Sequence, residues 1–181
     1  HQIRDVAPGT GCSAFNFTRY GSYLARISTR PHGSSAEKLI LHRTSDWSRF
    51  NGMTLAGFNP WSLAVSRHTN FIAFAGMRVP VKDGSEDRIF RDLPANVKAV
   101  LAITNDRLEV QRVIPLLGDV NFTSRVGWSA DGRSISFFSG LSAQTFDIVS
   151  GAQITPETPS AGIKHGAFLY TPDNKYCIEG Y

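Results

Sequence analysis

The sequence predicts an all-β chain of four blade-like repeats, the last incomplete, and three observations carry that prediction. The stretch VGWSADGRSISFF (126–138) reads as an apolar strand end, a tight Ser-Ala-Asp-Gly turn and a second apolar strand. The same pattern returns at three other places along the chain. Helical periodicity is nearly absent, and only SEDRIFRDL (85–93) reads as a short helical turn.

The copies are FNFTRYGSYLARIS (15–28), LAVSRHTNFIAFAG (63–76) and FLYTPDNKYCIEG (168–180). Aligned on the turn, a large residue stands at Phe17, Val65, Trp128 and Tyr170, and a hydroxyl follows at Thr18, Ser66, Ser129 and Thr171. The turn position tolerant of positive φ falls at Gly21, Thr69, Gly132 and Asn174, and the second strand's core position at Leu24, Ile72, Ile135 and Cys177. A side-chain hydroxyl or Asx group beside a permissive residue is what a tight hairpin needs.

A second pair of strands follows each hairpin. In the first unit these are EKLILHRT (37–44) and GMTLAGF (52–58); in the second, VKAVLAITND (97–106) and RLEVQRVIPL (107–116), a hairpin about Asn105-Asp106. In the third, AQTFDIVSGAQI (143–154) supplies two short strands joined by Val-Ser-Gly. The anchors at 17, 65, 128 and 170 are spaced by 48, 63 and 42 residues. Spacings of roughly 40–50 residues are those of four-stranded propeller blades. The long middle interval contains a polar, turn-rich insertion, MRVPVKDGSEDRIFRDLPAN (77–96). The chain thus reads as one β-propeller or propeller portion over 1–181, with blades at about 12–58, 61–116, 124–155 and 163–181.

The WSADG and YTPDN hairpins resemble the blades of TolB-like and WD-repeat β-propellers, and the resemblance extends over nearly the whole chain. The paired Gly-His and Trp-Asp of a standard WD repeat are missing, which favours the TolB-like variant and removes any basis for carrying over the WD repeat's His–Asp network. The resemblance implies a fold and leaves the role open, since propellers serve many functions.

The fourth unit supplies two strands where a blade has four. HQIRDV (1–6) is a candidate closing strand, yet blade four lacks two. A small closed ring, a portion of a longer propeller and a ring completed by another chain all fit. The unpaired strand edges of an open end favour the last two. Cys12 and Cys177 fall in blades that a closed four-bladed ring would make neighbours, so a disulfide between them is one reading. The core position of Cys177 favours the other, two reduced thiols with Cys177 as a small buried hydrophobe. NFT triplets stand at Asn16, in an innermost strand with no room for a glycan, and at Asn121, in an interblade loop that accommodates one.

Composition bounds the function. With 41% hydrophobic and 11% aromatic residues, the chain has the material for one core, and no apolar run reaches the ~18 residues of a membrane-spanning helix. Net charge is +4, but the basic residues are scattered and form no stripe, which argues against nucleic-acid binding. A start at His1 fits a processed precursor, a cut targeting segment or a trimmed chain; the sequence leaves the compartment open and favours a secreted or periplasmic one.

No catalytic motif or cofactor fingerprint emerges. GSSAE (33–37) lacks the last glycine of a nucleophile elbow and its strand–turn–helix context. The five histidines show no HExxH spacing, and DGSED (83–87) lacks the distal Glu of a calcium loop. No metal or cofactor is therefore expected. What remains is surface: the loops 29–36, 57–61, 77–96, 117–125 and 155–165 emerge at one end and present His32, Trp61, Arg78, Asp83, Arg88, Arg91, Asp92 and His165. Exposed Arg and aromatic residues on scaffolded loops are favoured anchors for a protein partner. The leading expectation is a non-catalytic binding or scaffold propeller, part of a larger chain or complex, with 77–96 as the contacting element. A second expectation is the gating propeller of a secreted or periplasmic prolyl-oligopeptidase-like hydrolase. A third is a carbohydrate-binding propeller using Trp47, Trp61 or Trp128, although the repeat position of Trp128 predicts burial.

Overall fold

The computed structural model describes residues 12–18, 20–28, 37–79, 88–117, 120, 124–129, 131–139, 142–154, 167–170 and 177–180. Four antiparallel sheets follow one another along the chain. The first contains β1 (Cys12–Phe17), β2 (Tyr23–Ser28), β3 (Glu37–Arg43) and β4 (Arg49–Thr54) in sequence order. The second contains β5 (Phe58–Val65), β6 (Ile72–Arg78), β7 (Ala99–Thr104) and β8 (Val110–Leu116), with a one-turn helix α1 (Arg88–Arg91) between β6 and β7. The third contains β9 (Arg125–Trp128), β10 (Ser134–Ser139), β11 (Ser142–Asp147) and β12 (Gln153–Ile154). The two-stranded fourth pairs β13 (Ala167–Tyr170) with β14 (Cys177–Gly180).

The repeat read from the sequence is the register of the hairpins. Phe17 lies opposite Leu24, Val65 opposite Ile72, Trp128 opposite Ile135 and Tyr170 opposite Cys177, one pair from each sheet. The turn hydroxyls do the same work in two copies. Thr18 Oγ1 accepts the Tyr23 amide at 3.1 Å, and Ser129 Oγ accepts the Ser134 amide at 3.0 Å. Gly21 and Gly132 take φ of 68° and 71° in these turns, where a β-carbon would be strained. The second hairpin, with Thr69 in the glycine's place, turns differently: Ser66 Oγ accepts the amides of both His68 and Thr69.

The β3–β4, β7–β8 and β11–β12 turns are likewise built to one plan. Asp46 accepts the Ser48 amide, Asn105 those of Arg107 and Glu109, and Asp147 that of Ser150. Those amides hold the Asp46 and Asp147 carboxyls below the ordinary carboxylate range.

Sheet two lies between the other two complete sheets. Its Val65, Ile72, Phe74 and Val100 side chains share a core with Ala25, Ile27, Leu39 and Leu41 of sheet one. Its opposite face puts Ala73, Ala75, Leu101 and Ile103 against Ile135, Phe137 and Phe146 of sheet three. Covered on both sides, β7 is buried at all six residues, and its sequence AVLAIT shows no polar alternation. Small residues meet large ones across both interfaces, which is how stacked layers reach interior packing density. Hydrogen bonds clasp the sheets at their rims. Asn51 of β4 donates to the Arg107 carbonyl at 2.8 Å, and Arg112 of β8 donates to the carbonyls of Val149 and Ser150.

Two boundaries differ from the sequence reading. The segment 52–58 is not one strand: β4 ends at Thr54, the chain turns through 55–57, and Phe58 opens sheet two. Burial decides this, because Phe58 packs edge-on to Phe74 and stacks on Phe90. Pro60, which reads as a loop signal, lies inside β5 beside a bulge between Pro60 and Ser62. β5 is an edge strand, where a residue without an amide proton is tolerated. The candidate closing strand 1–6, the acceptor Asn121 and the side chains of Cys12 and Cys177 lie outside the described residues.

Candidate functional site

Antiparallel topology places all connections at two ends of the sheets. The loop end carries the β2–β3, β6–β7 and β10–β11 connections and those between sheets; the turn end carries the turns that join the first strand to the second and the third to the fourth in each complete sheet.

At the loop end, the 77–96 segment is tied to the core. Phe90 of α1 is fully buried, its ring stacked on Phe58 at 4.6 Å and 12°. Leu93 and Val97 pack against the same cluster. Arg78 donates from Nη1 to the Pro94 carbonyl at 3.1 Å, and its amide donates to the Lys98 carbonyl. The Val79 amide donates to the Gly57 carbonyl, joining the segment's start to the turn between sheets one and two. The buried Phe90 ring, with Leu93, Val97 and the Arg78–Pro94 bond, fixes α1 against the core, and Arg91 and Asp92 are exposed beside it.

The residues expected at this end are distributed unevenly. Arg78, Arg91 and Asp92 lie together around the 77–96 segment, and Arg88 begins α1. His32, Asp83 and His165 lie outside the described residues. Trp61 requires correction. It is not a loop residue: it lies within β5, 6% exposed, in the core between sheets two and three. The interblade loop expected over 57–61 is instead the start of β5, because Phe58 is buried in the core between sheets one and two and Trp61 in that between sheets two and three. Of the other tryptophans, Trp128 is half-buried, donating from Nε1 to the Ala64 carbonyl at 3.2 Å. Trp47 is 37% exposed in the β3–β4 turn with φ of 60°. Phe90 was legible only as a lone aromatic in a polar run.

At the turn end, a cleft of about 210 Å³ opens between sheets one and two, lined by Thr18, Tyr20, Ser22, Tyr23, Val65, Asn70 and Asp106. Nearby, Arg43 caps a stack of Phe50 on Tyr23. Behind the stack, Arg26 Nε donates to His42 Nε2 at 3.0 Å, so the neutral ring carries its proton on Nδ1, which faces the Trp47 carbonyl. Burial pushes the His42 pKa down, and the charges of Arg26 and Arg49 add to the depression against an opposing pull from the Trp47 carbonyl. Among the described residues no three His, Cys, Asp or Glu side chains gather as a metal centre requires.

No known protein-family model matches the chain, and no curated relative does. Solved structures do. The structure of U3-55K superposes with a TM-score of 0.56 at 9% identity, covering 82% of this chain and 39% of that one. That of Kluyveromyces lactis Hsv2 superposes with a TM-score of 0.50 at 13% identity, covering 82% of this chain and 36% of that one. Both are WD-repeat β-propeller proteins, and at this identity the likeness is one of fold: the chain is an all-β assembly of propeller blades. It spans less than two-fifths of the length of either.

Proposed function

We propose that this chain is a non-catalytic binding module within a larger propeller or complex, recognising a protein partner through its loop end. One observation carries the reading: buried Phe90 anchors the one-turn helix α1 in the core, with Arg91 and Asp92 exposed beside it. Pre-set exposed Arg contacts lower the ordering cost of association, which is where a rigid scaffold gains affinity. The missing Gly-His and Trp-Asp pairs support a TolB-like build over a standard WD repeat.

A photo-reactive residue at position 92 tests this. It is expected to give one discrete crosslinked partner, and the paired substitution Arg88→Ala and Arg91→Ala is expected to diminish that product while leaving the thermal midpoint unchanged. The same probe at position 131, at the turn end, serves as control. Equal crosslinking from both positions, or a product indifferent to the two arginines, overturns the proposal.

A further inference from the structure

One register position separates sheet one from the other two complete sheets. The first and second strands face each other as Leu63 and Phe74 in sheet two, and as Val126 and Phe137 in sheet three. Both phenylalanines are fully buried in the core shared with the sheet before. In sheet one the equivalent pair is Phe15 and Arg26. Ala25 and Ile27 point into the core between sheets one and two, so strand alternation turns Arg26 to the opposite face. There it stands between Phe15 and Ile40 across the strands and is only 8% exposed.

The guanidinium lacks a counter-charge. Nε donates to buried His42 at Nε2, 3.0 Å away; among the described residues this is its one side-chain bond, and it has no ion pair. The two Nη groups are unpartnered and still touch solvent. Arg49 of β4 adds a second charge of the same sign beside His42. A guanidinium stays charged, and a charge drawn out of water without an opposite one beside it is strongly unfavourable. Phe15 and Phe17 run along the open side of this face, 67% and 49% exposed. The face thus combines an unanswered positive charge with an uncovered apolar strip.

We propose that Arg26, held by His42, binds the carboxylate of an Asp or Glu side chain carried on an apolar segment of a partner protein, which lies along Phe15 and Phe17. The imidazole occupies the Nε edge of the guanidinium and leaves the Nη1–Nη2 edge, whose two parallel donors match the two oxygens of a carboxylate. A phosphate dianion would need further donors, and the neighbours Phe15, Leu24 and Ile40 supply none. This surface is the outward face of sheet one, distinct from the loop end.

Nuclear magnetic resonance titration of the whole chain tests this with three probes: acetate, and the tripeptides Val-Glu-Val and Val-Gln-Val blocked at both ends. Acetate is expected to shift the Arg26 Nε–H resonance saturably, relative to chloride at equal ionic strength. Val-Glu-Val is expected to bind about ten-fold tighter than either acetate or Val-Gln-Val. Arg26→Gln is expected to abolish the difference between the tripeptides, and Arg26→Lys, which keeps the charge without the fork, to reduce it. Phe15→Ser with Phe17→Ser is expected to bring Val-Glu-Val down to the affinity of acetate while leaving acetate unchanged. Unchanged near-ultraviolet dichroism confirms that each variant is folded. Tripeptides that bind alike to the wild-type chain overturn the proposal without recourse to any variant. Acetate binding as tightly as Val-Glu-Val overturns the protein partner, and a tripeptide preference that survives Arg26→Gln overturns the site.

Discussion

β7 of sheet two is buried along its whole length, whereas β1 of sheet one leaves Phe15 67% and Phe17 49% exposed, although the two sheets share strand order and hairpin register. Aromatic content does not account for the difference, since CSAFNF carries two phenylalanines and AVLAIT none. Place in the stack does. Sheet two has a neighbour on each face, and sheet one has its described neighbour on one. Burial depends on the layer and on the strand within it: β3 of sheet one, the counterpart of β7, is buried from Leu39 to His42, whereas the edge strand β1 leaves its phenylalanines exposed.

The sharpest break of the comparison is the pair Phe74→Ala and Phe15→Ser. Phe74 is fully buried, so its truncation is expected to cost about 3–5 kcal/mol in urea unfolding. Phe15→Ser, measured at low protein concentration, is expected to stay within about 0.5 kcal/mol. Comparable costs would mean that the two sheets are covered alike.

A second pair sets two glycines against each other. A β-carbon on Gly76 would meet the Asn59 oxygen at 2.5 Å and Pro60 Cα at 2.7 Å, both backbone, so Gly76→Ala is expected to cost about 1–3 kcal/mol. On Gly127 it would meet only the Phe138 ring at an ordinary 3.6 Å, and Gly127→Ala is expected to be nearly neutral in chemical denaturation. Equal effects would remove the distinction between the inner layer and the outer face.

The smallest effect is confined to sheet one. His42 has a pKa lowered from 6.5, chiefly by burial, so below that pH the unfolded chain binds a proton that the folded chain refuses. Stability should therefore fall as pH drops from 6.5 toward the lowered folded value, and His42→Gln should flatten that slope. The Asp46, Asp131 and Asp147 carboxyls, lowered from 3.8 mainly by backbone amides, act in a separate window: the stability they add is lost as pH falls below 3.8 toward their folded values. A slope unchanged in His42→Gln would place the titrating group elsewhere.

The legible features were local ones. A hydroxyl at Thr18 or Ser129 and a glycine three residues later encode one hairpin within a few residues, so four cross-strand pairs could be read by aligning turns. Trp61 was misread because the Pro60 beside it is a turn signal in sequence and an edge-strand residue in three dimensions. Of the candidate loop-end residues, Arg78 is tied to the Pro94 carbonyl sixteen positions on, a contact that no local pattern signals. The Phe90 anchor was not readable, since Phe90 meets Phe58 from 32 positions further along the chain.

By itself the sequence determined the repeat, the chemistry of its turns, the register of each unit's first hairpin and the all-β class, because each depends on contacts between residues a few positions apart. The stacking of sheets decided the rest: which face of each blade is core, that Phe58 and Trp61 belong to a strand, and that Phe15 and Phe17 meet solvent. Those outcomes depend on what lies about one layer away, and a side chain's affinity for a core does not say which neighbour will supply it.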